Sequence, residues 1–215
     1  MDDLQQRLGD EAGSLLMVRR AAPLAGFTLV ELSVTLVVMA VLIALAMPTL
    51  LAWIANTRVR TVSDTLQNGL RQAQAEAVRR SRTAVFSLTN DTAPKTSLTA
   101  VANGSNWSIN FVASSTLDTS GVATFVEAGV LTVAGTGVSI SGPAAICFSP
   151  LGRLAANSST GVTGATCSLS STPTYNVTMT SADRPLRVLV SLGGHVHMCD
   201  PAKTLSSSAP DGCPS

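Results

Sequence analysis

Apolar and polar positions divide this chain into two kinds of pattern. Residues 32–57 carry no charged side chain. A hydrocarbon core is crossed by roughly 20 residues of helix, so this run is long enough to span a bilayer. Beyond it the pattern changes. Val59, Val62, Leu66, Leu70, Ala73 and Ala77 recur at spacings of three and four, while Arg58, Asp64, Arg71, Gln74 and Arg79 fall mostly elsewhere. That is one apolar stripe on a helix. The two patterns together predict a single helix over residues 27–80, roughly 80 Å long at 1.5 Å per residue. Its first half suits lipid and neighbours, and its second half suits packing on a sheet. Trp53 falls where a membrane interface would lie, and Arg58 and Arg60 mark the return to water. Arg79, Arg80 and Arg82 fit the carboxyl end of a helix, where the dipole favours cations, better than they fit a nucleic-acid patch.

From residue 83 onward Gly, Pro, Ser and Asn punctuate short runs of strand character. Strands are predicted at 83–88, 107–112, 129–133, 137–141, 144–148, 175–180 and 186–192. The last is followed by Gly193-Gly194 and a return strand over 195–198, a two-glycine hairpin. Residues 90–104 and 155–174 read as loops. The expected fold class is α+β: a long amino-terminal helix, transmembrane in its first half and amphipathic in its second, packed on an antiparallel β-sheet head.

Composition adds the compartment. Charged residues are 13% of the chain and aromatic residues 4%. The part outside the apolar run is rich in Ser, Thr, Gly, Ala and Val, a profile suited to an exported β-rich domain. All four cysteines, Cys147, Cys167, Cys199 and Cys213, lie in the last third. An even count in such a domain reads as disulfides. Pairing sequence neighbours is simplest, and two other connectivities are open. Closing loops of this size stabilises by roughly 3 kcal/mol each on the chain-entropy model.

Residues 1–25 include Asp2, Asp3, Arg7, Asp10, Glu11, Arg19 and Arg20 and have no apolar centre, so they do not make a secretory signal. Arg19 and Arg20 on one side of the apolar run are matched by Arg58 and Arg60 on the other, so charge does not set its direction. Glu31, near the start of that run, has two readings. Thr28-x-x-Glu31 fits a capping box, with an acid in the first turn of a helix. An ionisable group inside a membrane also commonly marks function and has a partner.

Gly26-Phe27-Thr28-Leu29-Val30-Glu31 followed by an apolar helix closely resembles the processing site of type IV prepilins and type II secretion pseudopilins. The resemblance implies that a prepilin peptidase cuts after Gly26 on the cytoplasmic side and that Phe27 is then N-methylated. It implies an inner-membrane protein with a single span and a periplasmic head, later drawn into a fibre of other pilins or pseudopilins. On this reading residues 1–26 are a removed leader, 27–55 the transmembrane and assembly helix, 56–82 the amphipathic helix of the head, and 83–215 the β-rich head with a disulfide-closed tail. Glu31 would meet the terminal amine of a neighbouring subunit, an ion pair that fixes register more than it adds stability. Pro48, which removes one helix hydrogen bond, would mark a flexible point inside the fibre.

The run Cys147-Phe148-Ser149-Pro150-Leu151-Gly152-Arg153, the late strand 187–192 with Gly193-Gly194, and the ending Met198-Cys199-Asp200-Pro201 look like the FimT/GspH group of minor pilins and pseudopilins. The implied role is structural: a subunit at or near the tip of a type IV pilus or type II secretion pseudopilus. Some members of that group bind DNA through a Gly-Arg-x-Arg element beside the closed tail. The matching residues here are Gly194-His195-Val196-His197, so both arginines are replaced, and binding by charge scales with the phosphates neutralised. Arg153, Arg184, Arg187, His195, His197 and Lys203 are the DNA-contact candidates of this second reading.

No Ser, His and Asp arrangement, paired acids or phosphate loop stands out, so neither catalytic activity nor a cofactor is expected. His195, His197 and Cys199 alternate and would share one face of a strand, the start of a zinc site. Pairing of Cys199 with Cys213 would leave two ligands, so no metal is expected.

Overall fold

The computed structural model describes residues 26–94, 98–113, 123–131 and 135–214. Of the expected leader only Gly26 lies among them. Contacts divide the chain into two units, Met1–Leu45 and Ala46–Ser215. Helix α1 (Leu29–Arg79) carries Glu31 in its first turn, Arg79 in its last, and Pro48 inside it.

The first unit contains, among the described residues, the start of α1. All of its side chains are exposed, from Phe27 through Leu45. Its hydroxyls are satisfied locally: Ser33 Oγ donates to the Val30 carbonyl and Thr35 Oγ1 to the Leu32 carbonyl, both at 2.8 Å. Side chains that bond back to their own helix add no polar demand to a surface facing hydrocarbon. Such an extent of bare apolar surface is stable only against lipid or a partner. α1 is the one helix among the described residues long and apolar enough to cross a membrane.

In the second unit α1 continues and buries Ala55, Val59, Val62, Leu66, Leu70, Ala73 and Ala77, the stripe that the spacing predicts. Two five-stranded sheets receive it, where the sequence pattern suggests one. The first has the order β3–β2–β1–β5–β6, built from β1 (Ala84–Thr89), β2 (Asn106–Phe111), β3 (Thr124–Val130), β5 (Ala145–Phe148) and β6 (Leu154–Ala155). The second has the order β10–β9–β8–β7–β4, built from β4 (Ser139–Ser141), β7 (Thr174–Thr178), β8 (Leu186–Val190), β9 (Val196–Thr204) and β10 (Gly212–Cys213). All pairs are antiparallel except β9–β10, which is parallel.

Both sheets send alternate residues to α1. Phe86, Trp107, Ile109, Phe111, Ile146 and Phe148 come from the first, and Tyr175, Val177, Val188, Val190 and Val196 from the second. Phe86 ties the two, stacking on Trp107 at 5.6 Å and meeting Tyr175 edge-on at 6.2 Å, arrangements that suit the ring quadrupole. Burial pushes the Tyr175 hydroxyl's pKa up.

The first sheet is buried on its other face too. Every residue of β1 and β2 is buried. A second cluster joins Val85, Ala145, Cys147, Val162, Ala165 and Cys167 there, and the Cys147–Cys167 bond fixes the covering segment. Of the three connectivities open from sequence, the structure has the neighbour pairing, with Cys199–Cys213 as the second bond.

Element boundaries differ from the sequence pattern in several places: the return strand expected at 195–198 extends from Val196 to Thr204 and is joined by β10, which the pattern does not predict, and the 90–104 loop carries bridges at Thr99 and Ala100. The strand expected at 129–133 runs instead from Thr124 to Val130, because its Phe125 and Thr124 continue the ladder with Asn110 and Phe111; residues 132–133 lie outside the described residues. The 155–174 loop is partly paired, through β6 and an Asn157–Cys167 bridge. The two-glycine hairpin is a three-residue connection, with Gly194 N–H donating to the Ser191 carbonyl at 2.8 Å and Gly194 at φ +90°, a turn followed by a glycine bulge.

Candidate functional site: the helix start and the tail

Gly26 and Phe27 precede the helix in non-helical backbone. Both are exposed, Phe27 to 85%, and nothing lies within 4 Å of a β-carbon built on Gly26. Thr28 is the cap. Its Oγ1 accepts from the Glu31 amide at 3.2 Å, and its carbonyl accepts the Leu32 amide at 3.1 Å. The cap therefore uses the backbone of Glu31. Its carboxylate is exposed, with no ion pair or hydrogen bond among the described residues. At Pro48 the helix continues in spite of the missing N–H.

The two motifs that single out the tail meet each other in space. The turn 149–152 is closed by the Gly152 amide donating to the Ser149 carbonyl at 2.8 Å, with Gly152 at φ +74°. Gln74 of α1 donates its Nε2 to the Gly152 carbonyl at 2.7 Å. Gly194 is packed against that same carbonyl, which lies 1.9 Å from where a β-carbon would stand. Two residues further, the Leu154 amide donates to the Leu192 carbonyl at 3.1 Å and joins β6 to the β8–β9 connection. Helix, first sheet and β8–β9 hairpin thus converge on one turn.

The DNA-contact candidates are not gathered into one patch. Arg187, His195 and His197 share the outer face of the second sheet, since Arg187 pairs with Cys199 and Leu189 with His197. Arg187 Nε donates to Asn176 Oδ1 at 2.7 Å, and the two imidazoles are 6.3 Å apart. Arg153 follows the Gly152 turn and is exposed. Lys203 is engaged by two acids, Asp211 at 2.6 Å and Asp200 at 3.6 Å. The hydrogen bond from Lys203 holds the Asp211 carboxyl below the usual carboxylate range, and the same contact raises Lys203. Arg184 belongs to the β7–β8 turn, which Asn56 of α1 fastens by donating to Asp183 and accepting the Arg184 amide. The cations at the end of α1 are also engaged. Arg79 and Arg80 pair with Glu76 and depress its pKa, chiefly through the Arg79 hydrogen bond, and Arg80 and Arg82 flank the Phe111 ring at 5.0 and 5.3 Å.

Cys199 is in a disulfide, and no group of three or more His, Cys, Asp or Glu suited to a metal occurs among the described residues. Sequence reasoning missed Asn56 and Gln74, polar helix positions off the apolar stripe, whose partners come from distant loops.

The family model for the type II transport protein GspH matches residues 62–194, more than half of the 215. The chain belongs to the GspH family. That family is one of type II transport proteins, and the one helix among the described residues that is long and apolar enough to cross a membrane fits anchoring with a head domain. The match runs from the middle of α1 to Gly194, so it takes in the Gln74, Gly152 and Gly194 junction. The chain is similar to the type IV minor pilin FimU of Pseudomonas aeruginosa, at 16% identity and TM-score 0.46, over 73% of this chain and 96% of that one. It is also similar to the minor pseudopilin EpsH of the Vibrio cholerae type 2 secretion system, at 9% identity and TM-score 0.44, over 68% and 99%. No curated protein sequence matches it.

Proposed function

We propose that this GspH-family chain is stored in the bacterial inner membrane with its head in the periplasm, trimmed after Gly26, methylated at Phe27, and drawn into a fibre at or near its tip. Glu31 is the assembly residue. The observation that carries this is the division of labour at the helix start: Thr28 caps through the Glu31 amide, and the carboxylate is exposed and unpartnered among the described residues. A carboxylate that is not spent on capping would be costly in hydrocarbon unless a cation meets it. The cation of suitable reach is the amine that cleavage creates four residues earlier, at Phe27 of another subunit.

Glu31→Leu tests this directly. The variant is expected to reach the membrane and stay stable there, yet be missing from sheared fibres; normal incorporation would reduce Glu31 to a helix-start residue. Mass analysis of the mature amino terminus is expected to give methylated Phe27, and an uncut terminus in fibres would defeat the processing half. The DNA-receptor reading is the weaker one. Lys203 is held by Asp200 and Asp211, and both tail arginines are histidines.

A further inference from the structure

Between α1 and the second sheet lies a groove of about 780 Å³, within the size range of small-molecule sites. One wall is α1 from Thr49 to Arg60, and the facing wall is the β7–β8 turn and β9 with the tail beyond it. Its lining changes character along the helix. Ala52 and Trp53, with Leu186 and Met198 opposite, form an apolar end that belongs to the charge-free stretch. Trp53 is 66% exposed there, as suits a residue at a membrane interface. The charged end follows within two helical turns.

At that end the charges are incompletely paired. Asp200 and Asp211 share one ammonium, that of Lys203, at 3.6 and 2.6 Å. Arg184 has no ion pair within 4 Å among the described residues, and Arg60 has only a 3.8 Å contact to Asp64, with both groups largely in solvent. Asp183 also lines the groove, held by Asn56 and in the field of Arg184, so three carboxylates and three cations share it while neither Arg60 nor Arg184 is in a close ion pair. A zwitterion carrying a phosphate and a primary amine complements that arrangement, since guanidinium matches phosphate geometry and a carboxylate takes an ammonium.

We propose that the groove binds the headgroup of an amine-bearing glycerophospholipid, its phosphate on Arg60 and Arg184, its ammonium toward Asp200 and Asp211, and its first acyl carbons along Ala52 and Trp53. The inference rests on the membrane-anchored reading, because it is the span that brings this stretch of helix to headgroup depth. A second copy of the chain is the competing occupant, but the apolar end belongs to the charge-free run and the charged end carries both signs, as a zwitterion requires.

The test uses the full chain in nanodiscs of equal acyl composition carrying phosphatidylethanolamine, phosphatidylglycerol or phosphatidylcholine, with bound lipid counted by native mass spectrometry. Phosphatidylethanolamine is expected to be retained one to one, about fivefold better than either of the others, a difference in keeping with half-exposed ion pairs. Arg60→Gln with Arg184→Gln should abolish the retention, and Asp211→Asn should reduce phosphatidylethanolamine to the phosphatidylglycerol level. Circular dichroism of each variant checks that the head is folded. Equal retention of the three lipids, indifference to the double substitution, or a chain dimer that excludes lipid would overturn the proposal. Failure of the chain to enter nanodiscs at all would instead defeat the membrane reading beneath it.

Discussion

Gly194 and Gly152 are in backbone contact with no space between them: a β-carbon on Gly194 would stand 1.9 Å from the Gly152 carbonyl oxygen and 2.5 Å from Gln74 Nε2. With φ at +90° the position is also conformationally closed to other residues. Gly194→Ala is expected to destabilise the head by about 3 kcal/mol or more, combining strain and overlap with backbone that cannot yield. Gln74→Ala removes only the helix-to-turn hydrogen bond and should cost about 1 kcal/mol. Urea denaturation followed by circular dichroism separates the two magnitudes, and a mild Gly194→Ala would show that the hairpin can pull away from the turn.

Trp107 is held between two glycines. A β-carbon on Gly129, its cross-strand partner, would meet the indole at 2.4 Å, and one on Gly69 of α1 would meet it at 2.9 Å. Gly129→Ala is expected to cost about 1–3 kcal/mol through overpacking and to shift Trp107 emission. Trp53, the other tryptophan, is exposed, so the buried component of the spectrum reports on Trp107.

The disulfides should differ in what they protect. Removing Cys147–Cys167 as a double serine variant is expected to lower stability by about 3 kcal/mol and to uncover the outer face of the first sheet, seen as faster amide exchange in β1 and β5. Removing Cys199–Cys213 should leave those amides protected and free only the tail. Equal exchange in both variants would mean the covering segment is held by its apolar contacts alone.

Lys203 and Asp211 give the tail a dependence on pH at both extremes. The Asp211 pKa is lowered in the fold, so its contribution is present above the ordinary aspartate value of 3.8 and is lost as pH falls through the folded value. The Lys203 pKa is raised, so its share is present below 10.5 and is lost as pH climbs through the folded value. Both groups are exposed and the effect is small. Tail amides around Gly212 should exchange faster in acid in the native chain, and Lys203→Met should remove most of that acid sensitivity.

The helix was legible because burial on one side writes a period into the sequence: Val59 to Ala77 face the core as their spacing predicts. The β2 residues facing α1 were legible for the same reason, with period two. Its other face was not. Asn106, Ser108 and Asn110 look like solvent positions and are buried, Asn106 bonded to Asp91 and Leu131 from distant loops and Ser108 to Asn110. β10 is two residues long and owes its place to Cys199 and the parallel ladder rather than to any pattern of its own. The tethers from Asn56 and Gln74 leave no periodic trace, since a single hydrogen bond to a loop carbonyl needs only one suitable side chain. The groove was invisible for the same reason: Arg60, Arg184 and Asp211 are far apart in sequence and ordinary one by one.

The closing strand has a mechanical implication. β10 runs parallel to β9 and is bonded to it through Cys199 and Cys213. A pull on Cys213 loads sulfur rather than the two-residue ladder, and it is delivered to Cys199 in β9, one strand in from the sheet's edge. The strand cannot be peeled from β9 while that bond is intact, so the sheet's last edge is closed by a covalent link rather than by its two-residue ladder.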